Sequence, residues 1–425
     1  MKVLVIGNGG REHALAWKLL QSKKINKLVC VPGNGGTATM PGCENLPLAV
    51  DDFAGISEYA VNNDISLVIV GPEVPLAQGI TDYLQNQGLM VFGPNKEGAQ
   101  IEASKAWAKA LMTEAGVPTA KSAVFTEAAP AKAYIQSEGA PIVIKADGLA
   151  AGKGVTVAET IAQAEAAIEA IFQGQFGSAG SSVVIEECLV GQEVSILALT
   201  DGLTIRPLLP AQDHKRVGES DTGENTGGMG AYAPAPIATP QLMARVQTEV
   251  LERTIHALQA RGIDYRGILY AGLMISPDGD FRVLEFNCRF GDPETQVILP
   301  MLETPLEDLI LACIEQRLED MPPIAWKQGA AATVVAASGG YPGEYAKGKV
   351  ITGLAAAETA GATVFHAGTK LNAAQEVVTD GGRVLNVTGL GENFQEALAQ
   401  AYAGIENIQF AQMYYRRDIG YRVLG

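Results

Sequence analysis

Along the first hundred residues, short β-branched and aliphatic runs alternate with segments whose apolar positions recur at helical spacing. Lys2–Ile6, Leu67–Val70 and Met90–Phe92 read as buried strands, and Glu12–Gln21 and Pro75–Gln87 as helices. Strands alternating with helices predict a parallel sheet covered on both faces. A Gly-Pro-Asn loop then opens a boundary near Pro94–Ser104, before a helix around Lys105–Glu114.

The pattern changes beyond that point. Ala140–Lys145, Val155–Val157, Ser182–Glu187 and Glu193–Leu199 are predicted strands, with an Ala-rich helix ending at Phe172. Asp213–Gly230 holds too many glycines and polar residues for regular structure. Its 18 residues exceed the usual loop length, which points to function. A helix is predicted over Pro240–Arg261, then a hairpin of Arg266–Ile275 and Asp280–Asn287 around Pro277-Asp278-Gly279. Pro322-Pro323 begins a linker to short strands and one helix near Glu392–Ala403.

Composition narrows the class. At about 150 residues per domain, 425 residues predict roughly three domains. A hydrophobic fraction of 47% with 18% charged residues is globular and excludes disorder as the main state. Lys plus Arg number 31 against 47 Asp plus Glu, a net charge of −16. That balance argues against nucleic-acid or anionic-membrane partners, so any anionic ligand needs a local cluster of cations. The five scattered cysteines form no CxxC pair and the four histidines no HExxH cluster, which fits a reducing cytoplasm. The first apolar run stops at Gly7, too short for a signal core, and no run approaches about 18 apolar residues.

Four segments carry candidate chemistry. Gly7-Asn8-Gly9-Gly10-Arg11-Glu12 lies between a strand and a helix, where backbone N–H groups can approach a phosphate. Glu12 takes the third glycine position of a dinucleotide fingerprint, which disfavours a dehydrogenase and leaves a phosphate or sugar-phosphate site, with a plain tight turn as the bland alternative. Pro141–Lys145 is a buried strand ending on lysine, and Asp147–Gly154 follows with small residues and Lys153. That combination suits folding over a polyphosphate, although it is no Walker A loop. On the strand Phe281–Phe290, alternation places Leu284, Phe286, Cys288 and Phe290 on one face. Glu285, Asn287 and Arg289 fall on the other, about 7 Å apart. Glu and Asn offer hard oxygen ligands and Arg a phosphate fork, which suits Mg²⁺ on a nucleotide; a solvated strand face is the bland alternative. Finally, Asp213–Arg216 with Asp221–Gly230 is a candidate substrate clamp, in which Asp213 or Glu224 could neutralise an amine. Glu186–Leu189 with Glu193 could present backbone and acid to adenine and ribose.

In this order these residues resemble the ATP-grasp superfamily: a strand lysine with a small-residue loop, an acidic interlobe linker, and a late Glu-x-Asn strand. More closely, the chain resembles the phosphoribosylamine–glycine ligase (glycinamide ribonucleotide synthetase) family over nearly its whole length. The likeness rests on Gly7–His13, Gly71-Pro72-Glu73, Ile144–Gly154, Gln212–Val217, Asn225–Tyr232 and above all Arg289–Gln296. Gly35 and Ala233 stand where Ala and Ser are expected.

The resemblance implies a multi-domain α/β fold. A Rossmann-like pre-ATP-grasp domain would span 1–103 and a bilobed ATP-grasp core 104–326, with its small ATP-clamping lobe at about 121–191. A small α+β C-terminal domain would span 327–425. It implies that ATP, glycine and 5-phosphoribosylamine give ADP, phosphate and glycinamide ribonucleotide through glycyl phosphate, with Mg²⁺ or Mn²⁺. Lys145, Asp213 and Arg289 would be catalytic. Lys105, Lys145, Gly152, Lys153, Gly154 and Lys215 would meet ATP phosphates, while Glu186, Leu189 and Glu193 hold adenine and ribose. Glu285 and Asn287 would ligate metal. Asn8, Gly9, Gly10, Glu73, Asp213, Gly228, Met229, Arg289 and Asp292 would surround phosphoribosylamine and glycine. A cytoplasmic monomer acting on small molecules, without nucleic acid or membrane, is expected. The alternatives are another ATP-grasp ligase or carboxylase, and a non-catalytic nucleotide sensor of the same fold.

Overall fold

Val3–Gly7 and Leu67–Val70 are wholly buried, as strands covered on both faces must be. In the computed structural model, which describes residues 1–150 and 154–424, they are the centre of a five-stranded parallel sheet. Its order is Cys43–Asn45, Lys27–Pro32, Lys2–Gly7, Leu67–Val70, Val91–Phe92. The strand order reverses at Lys2–Gly7, so a crevice opens beyond its carboxyl end, where such sheets bind ligands. The helix expected over Pro75–Gln87 is two, Glu73–Gln78 and Ile80–Gln85. They meet at Gly79, whose φ of 94° only glycine adopts readily.

Two antiparallel sheets build the middle of the chain. One is ordered Ser122–Phe125, Val183–Glu187, Ile142–Ala146, Val155–Ala158. Helices Ala128–Glu138 and Ile161–Phe172 share its apolar core through Ile135, Ile168 and Ile171. The other is ordered Ile205–Pro207, Gln192–Thr200, Gly267–Ile275, Phe281–Asn287, and contains the hairpin the pattern predicts. One apolar core runs from Leu4 and Val68 through Leu111 and Val250 to Leu269 and Phe286. The N-terminal sheet and the hairpin are therefore one packed body, and what each carries is held in fixed register.

The segment 213–230 is more regular than its composition suggests. Arg216–Gly218 and Thr222–Asn225 pair as a small hairpin, and Gln212–Asp213 pairs with Gly230–Ala233. Gly230–Ala233 in turn pairs with Ala330–Ser338, at the head of a sheet continuing through Arg383–Gly391 to Thr363–His366. For Gly230–Ala233 a distant partner supplies the ladder, so no local alternation is needed there. The same sheet spans the expected division between 326 and 327.

Candidate active site

A cavity of about 650 Å³ lies where the N-terminal sheet, both central sheets and the C-terminal sheet converge. That is ample for a nucleotide and a small second substrate. It brings together Asn8, Gly9, Glu73, Lys105, Lys145, Gly154, Glu186, Leu189, Glu193, Asp213, Lys215, Glu285, Asn287, Arg289 and Asp292. Gly152 and Lys153 lie outside the described residues.

At the sheet's crevice the Gly9 N–H donates to Glu12 Oε2 at 2.6 Å, and Arg11 pairs with the same carboxylate. A Cβ on Gly71 would stand 2.0 Å from Glu12 Oε1, so this buried side chain fills the space beneath the loop. The acid in the third glycine position thus occupies ground that a dinucleotide would need. Gly10 packs against Asn386 and Gln296 instead of lining the cavity. Gly228 lies against Pro293, and Met229 is buried in the C-terminal core; neither lines the cavity, because the chain turns inward there to join the sheet.

The phosphate side is a scaffolded set of lysines. Ser104 caps the helix Lys105–Ala115 by accepting the Trp107 N–H, and Asp147 accepts that of Ala106. This places Lys105 Nζ 2.8 Å from the Gly148 carbonyl. Lys145 Nζ donates to the Leu284 carbonyl at 3.2 Å and pairs with Glu186 at 3.0 Å. The other Glu186 oxygen pairs with Lys109 at 3.1 Å. Glu186, 3% exposed, is thus held between two lysines. Lys109 also lines the cavity, and burial lowers its pKa and that of Lys105. Its spacing of four from Lys105 was a usable helical signal that the motif reading passed over.

The strand Phe281–Asn287 delivers the acid, amide and guanidinium. Gly272 faces Glu285 whereas Leu273 faces Val283, so Leu284 is an extra, bulged residue. The bulge turns Leu284 into the cavity beside Glu285, against the simple alternation, while Phe286 and Cys288 stay in the core. Burial pushes the Glu285 carboxyl up, but Lys215, Lys145, Lys105 and Arg289 outweigh this and hold it below the usual range. Among the described residues no side chain hydrogen-bonds to Glu285, and no cluster of three His, Cys, Asp or Glu could hold an ion. An ionised carboxylate beside the Asn287 amide oxygen is a donor pair that would suit a divalent cation.

Arg289 is fixed by Glu73 at 3.2 Å, by Glu102 at 2.8 Å and by Asn287 Oδ1 at 3.1 Å. Glu102, on the short helix Gln100–Ala103, also accepts the Cys288 N–H at 2.7 Å. One buried carboxylate therefore fixes both the end of the strand and its arginine, a role with no signature in sequence. Glu102→Gln is expected to lower kcat about 10- to 100-fold, the usual effect of losing such a supporting partner, with ATP KM little changed. Steady-state kinetics test this, and an unaltered kcat would remove Glu102 from that role.

The cavity also holds a buried acid that no cation pairs among the described residues: Asp213, 5% exposed. Burial pushes its carboxyl up to about 7, with Glu294 and Glu193 adding to the rise and Lys215 opposing it. Glu294 accepts from Tyr270 at 2.7 Å and Ser195 at 2.9 Å, and Lys215 pairs with Glu193. Arg383 enters from the C-terminal sheet, donating to the Gly227 and Asp292 carbonyls at 2.7 and 2.8 Å and pairing with Asp292. Sequence reading missed Arg383, which lies about ninety residues beyond the motif it joins.

Three family models match the chain, all of phosphoribosylglycinamide synthetase: the N domain at 1–102, the ATP-grasp (A) domain at 103–295 and the C domain at 331–422. The chain belongs to the phosphoribosylglycinamide synthetase family. Two relatives named phosphoribosylamine–glycine ligase support this: one from Nostoc sp., 79% identical with both chains fully covered, and one from Escherichia coli, 50% identical over 100% of this chain and 99% of that one. The crystal structure of phosphoribosylamine–glycine ligase from Thermotoga maritima matches with a TM-score of 0.85 at 33% identity, covering 99% of this chain and all of that one. A biotin carboxylase from Campylobacter jejuni, 15% identical, covers 97% and 92% with a TM-score of 0.72 and shares the fold. The multi-domain α/β architecture with an ATP-grasp core, expected from the strand lysine and Glu-x-Asn motifs, is that of the phosphoribosylglycinamide synthetase family.

Proposed function

We propose that this chain joins glycine to 5-phosphoribosylamine with ATP, giving glycinamide ribonucleotide, ADP and phosphate in purine biosynthesis. The observation that carries this reading is one cavity that gathers buried lysines and an arginine suited to phosphate with a buried carboxyl pushed up to about 7, suited to an amine. Lys105, Lys145, Lys215 and Arg289 surround Glu285, and Asp213 stands near Lys215, Glu294 and Glu193. Glycine's carboxylate is a poor electrophile, so it first attacks the γ-phosphorus of ATP, forming glycyl phosphate and releasing ADP. The amine of phosphoribosylamine then attacks the glycyl carbonyl, and phosphate leaves. Asp213 takes the proton that the amine loses. No protein nucleophile is required; the residues act by positioning and charge.

Lys105, Lys145 and Lys215 hold the nucleotide phosphates, with Gly152, Lys153 and Gly154 over them, and Glu186, Leu189 and Glu193 serve adenine and ribose. Glu285 and Asn287 hold Mg²⁺ or Mn²⁺, which supplies charge neutralisation on the transferring phosphoryl group. Asn8, Gly9, Glu73 and Asp292, with Arg383, surround the sugar phosphate. We divide the chain at 1–103, 104–326 and 327–425, with a small clamping lobe at about 121–191. Among the described residues no helix is long and apolar enough to cross a membrane. We read the protein as a cytoplasmic monomer of small-molecule metabolism, and the charge of −16 supports leaving nucleic acid aside.

Omitting substrates one at a time tests the reading. ADP release should need both glycine and phosphoribosylamine, and glycinamide ribonucleotide should accumulate one per ADP. Equal turnover with bicarbonate or alanine in place of glycine would overturn the assignment, as would binding of ATP without any turnover.

A further inference from the structure

Arg416 is among the largest wholly buried side chains of the protein, and it is charged. A guanidinium taken from water is tolerated only where its donors are matched. Here Nη1 donates to Asp221 Oδ1 at 2.8 Å and to the Arg216 carbonyl at 3.0 Å, while Nε and Nη2 donate to Asp418 at 2.8 Å each. Asp221 is a hub. It also accepts from the Tyr421 hydroxyl at 2.7 Å and pairs with Arg422, and it sits at a φ of 52° that few non-glycine residues adopt. Three donors from one tail therefore fix the turn between the hairpin strands Arg216–Gly218 and Thr222–Asn225.

The same tail reaches the base of the strap at Asp213 and His214. Arg422 Nη1 donates to the Asp213 carbonyl at 3.2 Å, and the Gly420 N–H donates to His214 Nε2 at 3.0 Å. Asp418 accepts the Ser220 N–H at 2.7 Å. None of residues 416–422 lines the cavity. The tail touches the back of the strap whose front carries Asp213 and Lys215. By contrast, the contacts of Lys105 and Lys145 run to Gly148, Leu284 and Glu186.

We propose that Arg416, Tyr421 and Arg422, through Asp221, act as a latch that positions Asp213 for the amine-bearing substrates. These are positioning residues, and their kinetic role rests on the ligase reading above. A displaced strap disturbs glycine and phosphoribosylamine most, because the nucleotide keeps Lys105 and Lys145, whose contacts lie off the strap, and loses only part of its hold from Lys215.

Arg422, 20% exposed, is the residue to change, since Arg416 is wholly buried and its removal would leave a charged gap inside the fold. In Arg422→Ala the KM for glycine and for phosphoribosylamine should each rise about tenfold or more, as for a small misplacement of a reacting group. The affinity for a non-hydrolysable ATP analogue should stay within about threefold, and Arg422→Lys should recover part of the loss. Hydrogen exchange at the amides of 216–225 should quicken at least about tenfold, a readout independent of any reaction. Asp221→Asn should repeat the pattern from the other partner. Unchanged exchange in a folded Arg422→Ala protein overturns the latch, as does exchange that quickens while the KM values stay put. Equal loss of analogue affinity and substrate affinity overturns it too. If the wild-type protein ligates no glycine, the ligase reading fails by itself, and the exchange measurement still decides whether the tail holds the strap.

Discussion

Glu285→Gln is expected to lower kcat by about 10²- to 10³-fold, the scale of losing a principal electrostatic stabiliser. The Mg²⁺ concentration giving half-maximal rate should rise with it. The substitution keeps volume and one oxygen, so packing is not at issue. What disappears is one negative charge amid Lys105, Lys145, Lys215 and Arg289, the cations that hold this carboxyl ionised. Only neutral amide oxygens would remain, and that of Asn287 already accepts from Arg289. The lysines that meet the phosphates keep their own anchors, so affinity for ATP itself should change far less than turnover. A Mg²⁺ titration at fixed ATP, with kcat measured at saturation, separates the two effects. Wild-type kinetics in the variant would move the metal to other residues.

How much of this was legible beforehand depends on where each residue's partners lie. Glu285, Asn287 and Arg289 could be placed on one face because alternation is a local property of a strand. The bulge at Leu284 was hidden, because register against Gly272 belongs to the partner strand. Glycines and charges made 213–230 look irregular, yet its two ends pair with each other, and Gly230–Ala233 is held by Ala330–Ser338, about a hundred residues later. Met229 was drawn into the substrate set by its neighbours in the motif, whereas the fold turns its side chain into the C-terminal core. Lys109 could have been found from helical spacing alone. Glu102, Arg383 and Arg422 could not, since each acts on a segment far away in sequence, and no local pattern of hydrophobic and polar positions records such a contact.

Asp213→Asn should reduce kcat/KM by about 10²- to 10⁴-fold, the range for removing a general base. In the wild-type enzyme kcat/KM, which reports the free enzyme, should fall as pH drops through about 7. The sign follows from the chemistry: the carboxylate accepts the proton, burial favours the carboxylic acid, and Glu294 and Glu193 add to that preference while Lys215 opposes it. Stability should run the other way. An unfolded Asp titrates near 3.9, so folding takes up a proton between about pH 4 and 7. The stabilisation from that proton is fully present below the unfolded value and is lost as pH rises through about 7. Asn carries no charge, so the variant should lose this dependence and unfold at a higher temperature than wild type at pH 8, with a smaller difference at pH 6. Thermal unfolding at the two pH values, beside pH–rate profiles, makes the two expectations independent. An Asp213→Asn enzyme with a wild-type rate would free Asp213 from proton transfer, and one that is slow but no more stable at pH 8 would mean the carboxyl is ionised at little cost. The expected outcome is an enzyme that trades stability for a base poised near neutral pH, held ready by burial beside Glu294 and by a strap whose far side is pinned at Asp221.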